Sequence, residues 1–135
     1  MPANSPIAKV SDVDSPGIRV GVTQGGTSAR TLPKLLTNAT VVPALNVISA
    51  IQMIERGELD AYATNKPTLF EMSDQMPGAR ILDGRWGEEH MAVAIPMGRE
   101  SGMEYVRRFV AELQTNGLLT RALEQSGLRG SIAAQ

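Results

Sequence analysis

Apolar residues recur along the chain with two different periods. In residues 18–23 they occupy every second position, with Ile18, Val20 and Val22 apolar, as in a strand that buries one face. In residues 46–56 they recur every three or four positions, which is the period of a helix with one apolar face. The pattern predicts strands at residues 18–23, 40–44, 59–64, 80–82 and 90–95, and helices at residues 28–36, 46–56, 65–76, 102–116 and 118–125.

Strands and helices therefore alternate with short connections. This order predicts an α/β fold with a mostly parallel sheet and right-handed crossovers. Pro43 lacks an N–H group, so the second strand should lie at a sheet edge or end there. In open sheets of this kind, ligands bind beyond the carboxyl ends of the strands. Residues 24–28 and residues 65–68 both follow a predicted strand at that edge.

The segment after the first strand has the features of an anion site. Gly25 and Gly26 allow backbone angles that a side chain would forbid, and Thr27 and Ser28 follow where a helix begins. The free N–H groups and partial positive charge of a helix start favour an anion. The two hydroxyls can cap the helix, bind a ligand, or do both. We expect Gly26, Thr27 and Ser28 to form half of a site for a small anionic or zwitterionic molecule, with Asn65 as either a helix cap or a further ligand contact.

Composition and charge exclude several classes of function. The 135-residue chain has a net charge of −1 and 4% aromatic residues, which gives no support for nucleic-acid binding. It has no cysteine and no apolar run long enough to cross a bilayer. Residues 1–10 lack the apolar segment of a signal peptide. Residues 1–16 are polar and contain proline, which predicts a leader or linker.

No catalytic residue, metal site or cofactor is predicted. His90 is the only histidine and has no partners at the spacing that a metal site or a hydrolytic triad needs. Asp60 is interpreted as fixing the turn into the third strand, and Trp86 as either packing or covering a ligand. The glycines around residues 21–26 match neither a dinucleotide fingerprint nor a Walker A loop.

Taken in order, several stretches resemble the bacterial solute-binding proteins of ABC transporters, in the family that captures polar amino acids. Residues 17–28 resemble that family's first strand, glycine turn and Thr/Ser pair. Residues 50–61 (AIQMIERGELDA) resemble its helix ending in Gly-x-x-Asp-Ala, and residues 63–68 (ATNKPT) its next strand and helix start. Residues 91–98 (MAVAIPMG) resemble its return strand, and residues 102–125 its final helices.

The resemblance implies a fold of two α/β lobes that close on a ligand. Residues 17–89 would be the second lobe, a three-layer lobe of the periplasmic-binding-protein type. Residues 90–135 would be the return strand and the C-terminal helices that pack on the first lobe. Most of the first lobe would precede Ser11, so the chain is expected to be a truncated fragment. Its uncovered helices are expected to self-associate as a homodimer.

The resemblance also implies a function and a set of contacts. The protein would be the periplasmic component of an ABC transporter, would capture a small polar solute and would deliver it to a membrane permease. The position of Ser28 commonly holds the α-carboxylate of the ligand in that family, with Thr27 beside it. The position of Asn65 commonly carries an aspartate that pairs with the α-ammonium. A neutral amide offers no ion pair, so the ligand class shifts towards a carboxylate, an amide or another uncharged polar solute.

Two alternatives share this architecture. One is the effector-sensing domain of a regulator, which a neighbouring DNA-binding segment would favour. The other is an enzyme similar to the cyclohexadienyl dehydratases, which would need an acid/base group in the cleft.

Overall fold

The computed structural model describes residues 1–2 and 5–132. Residues 3–4 of the predicted linker and residues 133–135 of the predicted C-terminal segment lie outside the described residues. The chain divides into two compact units, Met1–Gly87 and Glu88–Gln135.

The first unit is built on a parallel sheet that alternates with helices, as the sequence predicts. Its strands are β1 (Arg19–Thr23), β2 (Thr40–Ala44) and β3 (Ala61–Tyr62), and its helices are α1 (Thr27–Leu35), α2 (Val47–Glu55) and α3 (Lys66–Gln75). The strand order is β2-β1-β3, and Val20 lies opposite Val41 on one side and Ala61 on the other. Pro43 lies in β2, an edge strand of this sheet, so its missing N–H costs no sheet hydrogen bond.

Apolar side chains cover both faces of the sheet. On one face Val20 and Val22 pack with Leu32 of α1. The other face holds a second cluster that includes residues of α2 and α3, and its buried members are Ala44, Ala50, Ile54, Leu59, Tyr62 and Met72. The sheet therefore lies between two helical layers, which confirms the predicted three-layer α/β fold.

The N-terminal segment packs on this unit. Ile7 is 2% exposed, and the Arg80 guanidinium donates hydrogen bonds to the carbonyl oxygens of Ser5 and Ile7 at 2.7 and 3.1 Å. A turn of 3-10 helix at Val10–Asp12 follows. The Asp14 carboxylate accepts hydrogen bonds from the backbone N–H groups of residues 37–39, and the shortest of these, from Asn38, is 2.7 Å. Residues of the predicted linker thus contribute both a buried side chain and a hydrogen-bonded anchor.

Two predicted strands are not formed. At residues 80–82, the Arg80 N–H and C=O pair instead with the backbone and amino terminus of Met1, at 3.0 and 3.2 Å. Residues 90–95 have no regular secondary structure and belong to no sheet of the described chain, and Met91 is 94% exposed. Alternating apolar residues form a strand only where a partner strand is available, and a sequence pattern does not reveal the partner.

The second unit is a helical hairpin. A turn of 3-10 helix at Glu100–Gly102 leads into α4 (Met103–Thr115), and α5 (Leu118–Ser126) follows. Gly117 joins the two helices with a φ of +70°, and the Asn116 side chain accepts the Leu118 N–H at 2.8 Å. Neither helix contains a fully buried residue, so their apolar stripes are only partly covered within the unit.

Candidate functional site

The candidate site lies at the carboxyl edge of the sheet. Because β1, β2 and β3 are parallel, their last residues Thr23, Ala44 and Tyr62 reach the same edge. Each strand is followed there by the N-terminus of a helix. The sequence predicts this shared edge but not the strand order. Since β1 and β3 are neighbours, the segment 24–28 and the segment 63–65 extend from adjacent strands.

The turn after β1 depends on its two glycines. Gly25 has a φ of +75°, which side chains rarely adopt. A Cβ atom on Gly26 would lie 3.1 Å from the carbonyl oxygen of Thr23, and that oxygen also accepts the Gly26 N–H at 3.1 Å. The Gln24 N–H donates to the Ala44 carbonyl at 2.8 Å, which ties the start of the turn to β2.

The start of α1 differs from the starts of its two neighbours. Gly26 is the N-cap residue of α1 and has no side chain with which to cap, and Thr27 and Ser28 are the first two helical residues. In α2 the Asn46 side chain accepts the Ser49 N–H at 2.9 Å, and in α3 Asn65 performs the equivalent role. The structure therefore gives Thr27 and Ser28 no N-cap role and leaves the first N–H groups of α1 without a side-chain cap. Ser28 is a buried polar residue at 8% exposure.

Asn65 is the N-cap of α3. Its Oδ1 accepts the Thr68 N–H at 3.0 Å, which confirms the capping interpretation. Because Oδ1 already accepts this hydrogen bond, the Nδ2 group is the part of the amide left to contact a solute. Nδ2 is a hydrogen-bond donor, so it suits an oxygen atom of a solute better than an ammonium group.

Sequence reasoning missed a contact between the ends of β1 and β3. The hydroxyls of Thr23 and Tyr62 are hydrogen-bonded to each other. The one available signal was Gly21, because a glycine inside a strand often marks a close approach of another group. A Cβ on Gly21 would lie 2.5 Å from Leu59 Cδ1 and 3.0 Å from Tyr62 Cδ2.

Asp60 lies at the opposite, amino end of the strands. Its carboxylate accepts hydrogen bonds from Arg19 Nε at 2.8 Å, from Arg19 Nη2 at 2.9 Å and from the Arg19 backbone N–H at 2.8 Å. These bonds, those of the side chain above all, lower the pKa of Asp60 below its usual value. Its backbone N–H donates to the Arg19 carbonyl at 2.9 Å, so Asp60 holds the start of β3 against β1.

The remaining candidate groups lie away from this edge or have a packing role. Trp86 packs against the cluster of Val20, Val22 and Leu32. His90 is exposed. Within residues 1–2 and 5–132, no group of three or more histidine and carboxylate side chains could hold a metal ion. None of the helices in the described part of the chain is long and apolar enough to cross a membrane.

Comparisons with known proteins support the periplasmic-binding-protein-like fold. No protein-family model matches the chain. It is 30% identical over 86 residues to a glutamine-binding protein of Geobacillus stearothermophilus, an alignment that covers 64% of this chain and 32% of that protein. The crystal structure of an ancestral cyclohexadienyl dehydratase matches 91% of this chain with a TM-score of 0.54 and 21% identity.

Both of these proteins are longer than this chain. The aligned part spans about a third of the glutamine-binding protein, and the structural match covers 52% of the dehydratase. At this level of identity, the structural match shows the fold alone. The sequence likeness supports the resemblance to solute-binding proteins at a coarse level.

Proposed function

We propose that the chain is the ligand-binding part of an extracytoplasmic solute-binding protein of an ABC transporter. It captures a small polar solute at the carboxyl edge of its sheet, with Gly26, Thr27, Ser28 and Asn65 as the contacts. The observation that carries the proposal is the start of α1, which follows a glycine turn and lacks a side-chain cap. The similarity to a glutamine-binding protein gives independent support for a solute-binding role.

The start of α1 suits a negatively charged or electron-rich oxygen. Its first N–H groups need partners, and the helix dipole places partial positive charge there. The Thr27 and Ser28 hydroxyls are not used as caps and add donors beside those N–H groups. A carboxylate oxygen therefore fits this position best.

Asn65 narrows the class of solute. Its Oδ1 already accepts a backbone N–H, so the remaining donor favours a carbonyl or carboxylate oxygen of the solute. Glutamine, the solute named for the similar protein, combines a carboxylate with an amide and is the first solute to test. An α-ammonium group gains no ion pair from the neutral Asn65.

The proposal also assigns segments of the chain to the two lobes of a complete binding protein. Residues 17–89 form the second ligand-binding lobe, and residues 90–135 return to a first lobe and pack on it. The complete protein closes its two lobes on the solute and delivers it to a membrane permease from the periplasm. Without that first lobe, the apolar surface of the C-terminal helices is free to self-associate.

Self-association has a direct test. Tyr105 and Phe109 of α4 are 65% and 45% exposed, and Leu118 at the start of α5 is 44% exposed. We expect light scattering to give a mass of twice 14.4 kDa at high protein concentration. A mass that stays at 14.4 kDa at every concentration contradicts the homodimer.

One observation favours a second candidate. The structural neighbour is a cyclohexadienyl dehydratase, so an enzyme on the same fold remains an alternative, beside the sensor domain of a regulator. The four residues proposed as contacts, Gly26, Thr27, Ser28 and Asn65, however, offer backbone, hydroxyl and amide groups rather than a general acid or base. Turnover in a cyclohexadienyl dehydratase assay would favour the enzyme.

The proposal is tested by calorimetry and thermal shift with matched solutes. L-glutamine is compared with glutaramate, which has the same carboxylate and amide but no α-ammonium, and with L-glutamate. We expect glutamine or glutaramate to raise the melting temperature, since a ligand at 100 times its Kd adds about 2.7 kcal/mol of stability. Equal affinities for glutamine and glutaramate would support the proposal that the uncharged Asn65 forms no ion pair with an α-ammonium group. The absence of any shift with all three solutes, up to millimolar concentration, contradicts the proposed ligand class.

A further inference from the structure

Two hydroxyl groups meet at the carboxyl edge of the sheet. Thr23 is the last residue of β1 and Tyr62 the last residue of β3, and their side-chain oxygens form a hydrogen bond across the two strands. The contact therefore links the segment that leads into α1 with the segment that leads to Asn65.

The tyrosine side of the contact is fixed by burial. Tyr62 is 7% exposed and packs in the cluster with Leu59 and Met72. Its ring passes beside Gly21, where a Cβ atom would come within 3.0 Å of Tyr62 Cδ2. The absence of a side chain at residue 21 is what lets the ring lie along β1 and reach Thr23.

The threonine side of the contact belongs to the glycine turn. The Thr23 carbonyl accepts the Gly26 N–H at 3.1 Å, and Gly26 is the N-cap residue of α1. A shift of Thr23 is thus passed to the residue that begins the helix. Hydrogen bonds prefer near-linear angles, so the direction of these N–H groups matters to a bound oxygen.

We propose that Tyr62 is a positioning residue of the solute site, which acts through Thr23 to hold the Gly25–Gly26 turn and the start of α1. This inference rests on the proposed function, because it assigns Tyr62 to the same site. A phenylalanine would fill the same space in the core, so packing alone does not require the hydroxyl. The hydroxyl serves the turn, and its loss should be felt first at Gly26, Thr27 and Ser28.

The first test is amide hydrogen exchange in the full chain with Tyr62→Phe. The Gly26 amide reports the turn, and the Thr40 amide, bonded to the Ile18 carbonyl at 2.8 Å near the other end of the strands, reports the sheet. We expect Gly26 to exchange roughly three- to tenfold faster, the range set by one ordinary hydrogen bond, with Thr40 unchanged. Tyr105→Phe, on the exposed tyrosine of the second unit, should change neither amide.

The second test uses the partner residue and the solute. Thr23→Val should reproduce the effect of Tyr62→Phe. Thr23→Ser keeps the hydroxyl, so exchange at Gly26 should stay as slow as in wild type. Solute affinity should fall roughly three- to tenfold in Tyr62→Phe, and combining it with Thr23→Val should add no further loss. The melting temperature of each variant is measured alongside.

Two results overturn the proposal. Equal acceleration at Gly26 and Thr40 would mean that the hydroxyl supports only global stability. Unchanged exchange at Gly26 would mean that the turn does not depend on Tyr62. If the wild-type chain binds no solute, the proposed function is contradicted instead. Amide exchange at Gly26 and Thr40 then still decides whether Tyr62 holds the turn.

Discussion

Gly21→Ala tests the packing on which the candidate site is built. The new methyl group would lie 2.5 Å from Leu59 Cδ1 and 3.0 Å from Tyr62 Cδ2. Leu59 is 1% exposed and Tyr62 is 7% exposed, so neither side chain can move into solvent to make room. Overpacking of a filled core costs about 1–3 kcal/mol, and a 2.5 Å approach between carbon atoms belongs at the upper end of that range.

A second effect opposes the first. Replacing glycine by alanine restricts the unfolded chain and stabilises the fold by about 0.4–1 kcal/mol where the backbone conformation is compatible. The clash is the larger effect, so we expect Gly21→Ala to destabilise the first unit by about 2 kcal/mol. For a unit of this size, that corresponds to a fall in melting temperature of about 8–16 °C.

Urea unfolding followed by Trp86 fluorescence is the assay. Trp86 is the only tryptophan of the chain and packs against the core cluster of Val20, Val22 and Leu32, so its emission reports the first unit. The midpoint should fall while the slope of the unfolding free energy with urea stays constant. Gly87→Ala is the matched control, because a Cβ there would meet nothing within 4 Å.

A double-mutant cycle separates the clash from other causes. Leu59→Ala alone removes a buried side chain and should cost about 2–5 kcal/mol. In the Leu59→Ala background the new methyl at residue 21 enters vacated space, so Gly21→Ala should then cost much less. If Gly21→Ala is as stable as Gly87→Ala, or if the two costs at residues 21 and 59 simply add, the packing argument is wrong.

Three further predictions concern the site and its anchor. Asn65→Asp keeps a helix cap and adds a charge, so it should raise the affinity for solutes with an α-ammonium, measured by calorimetry. The control Asn46→Asp should leave that affinity unchanged. If wild type and Asn65→Asp bind such solutes equally well, the ammonium group does not lie at residue 65. Ser28→Ala should weaken binding of a carboxylate solute by about 1–3 kcal/mol, and an unchanged Kd would remove its hydroxyl from the site. The pKa of Asp14 is held well below its usual value by N–H bonds from residues 37–39, so its stabilisation is complete above about pH 4 and is lost as the pH falls further. The stability difference between wild type and Asp14→Asn, from urea unfolding at each pH, should shrink in that range, with Asp83→Asn as control; a constant difference refutes the anchor.

The sequence predicts the three helices and the parallel sheet of the first unit well because their signals are local. Each helix there begins and ends within about two residues of its predicted bounds, since Asn46, Asn65 and Gly57 mark helix ends by their own chemistry. The parallel sheet follows from the alternation of strands and helices, and the shared carboxyl edge follows from the parallel sheet. Asp60 and Pro43 also have the structural roles that their positions suggest.

The errors arise where the outcome depends on a distant partner. The strand predicted at residues 90–95 needs a neighbouring strand, and the described chain supplies none. Arg80 is bonded to the chain terminus and to the carbonyls of Ser5 and Ile7, more than 70 residues away, which no local pattern reveals. The contact between Thr23 and Tyr62 was missed for the same reason, although Gly21 marked the place where a neighbour comes close.

We propose that the start of α1 and the Asn65 cap form one solute site. Amide chemical-shift mapping during a titration with L-glutamine, and then with glutaramate, tests it residue by residue and detects weak binding. We expect saturable shifts centred on residues 24–28 and 63–65, with the helices α4 and α5 unaffected. Saturable shifts that leave both segments unmoved, or that centre on the second unit, would contradict it.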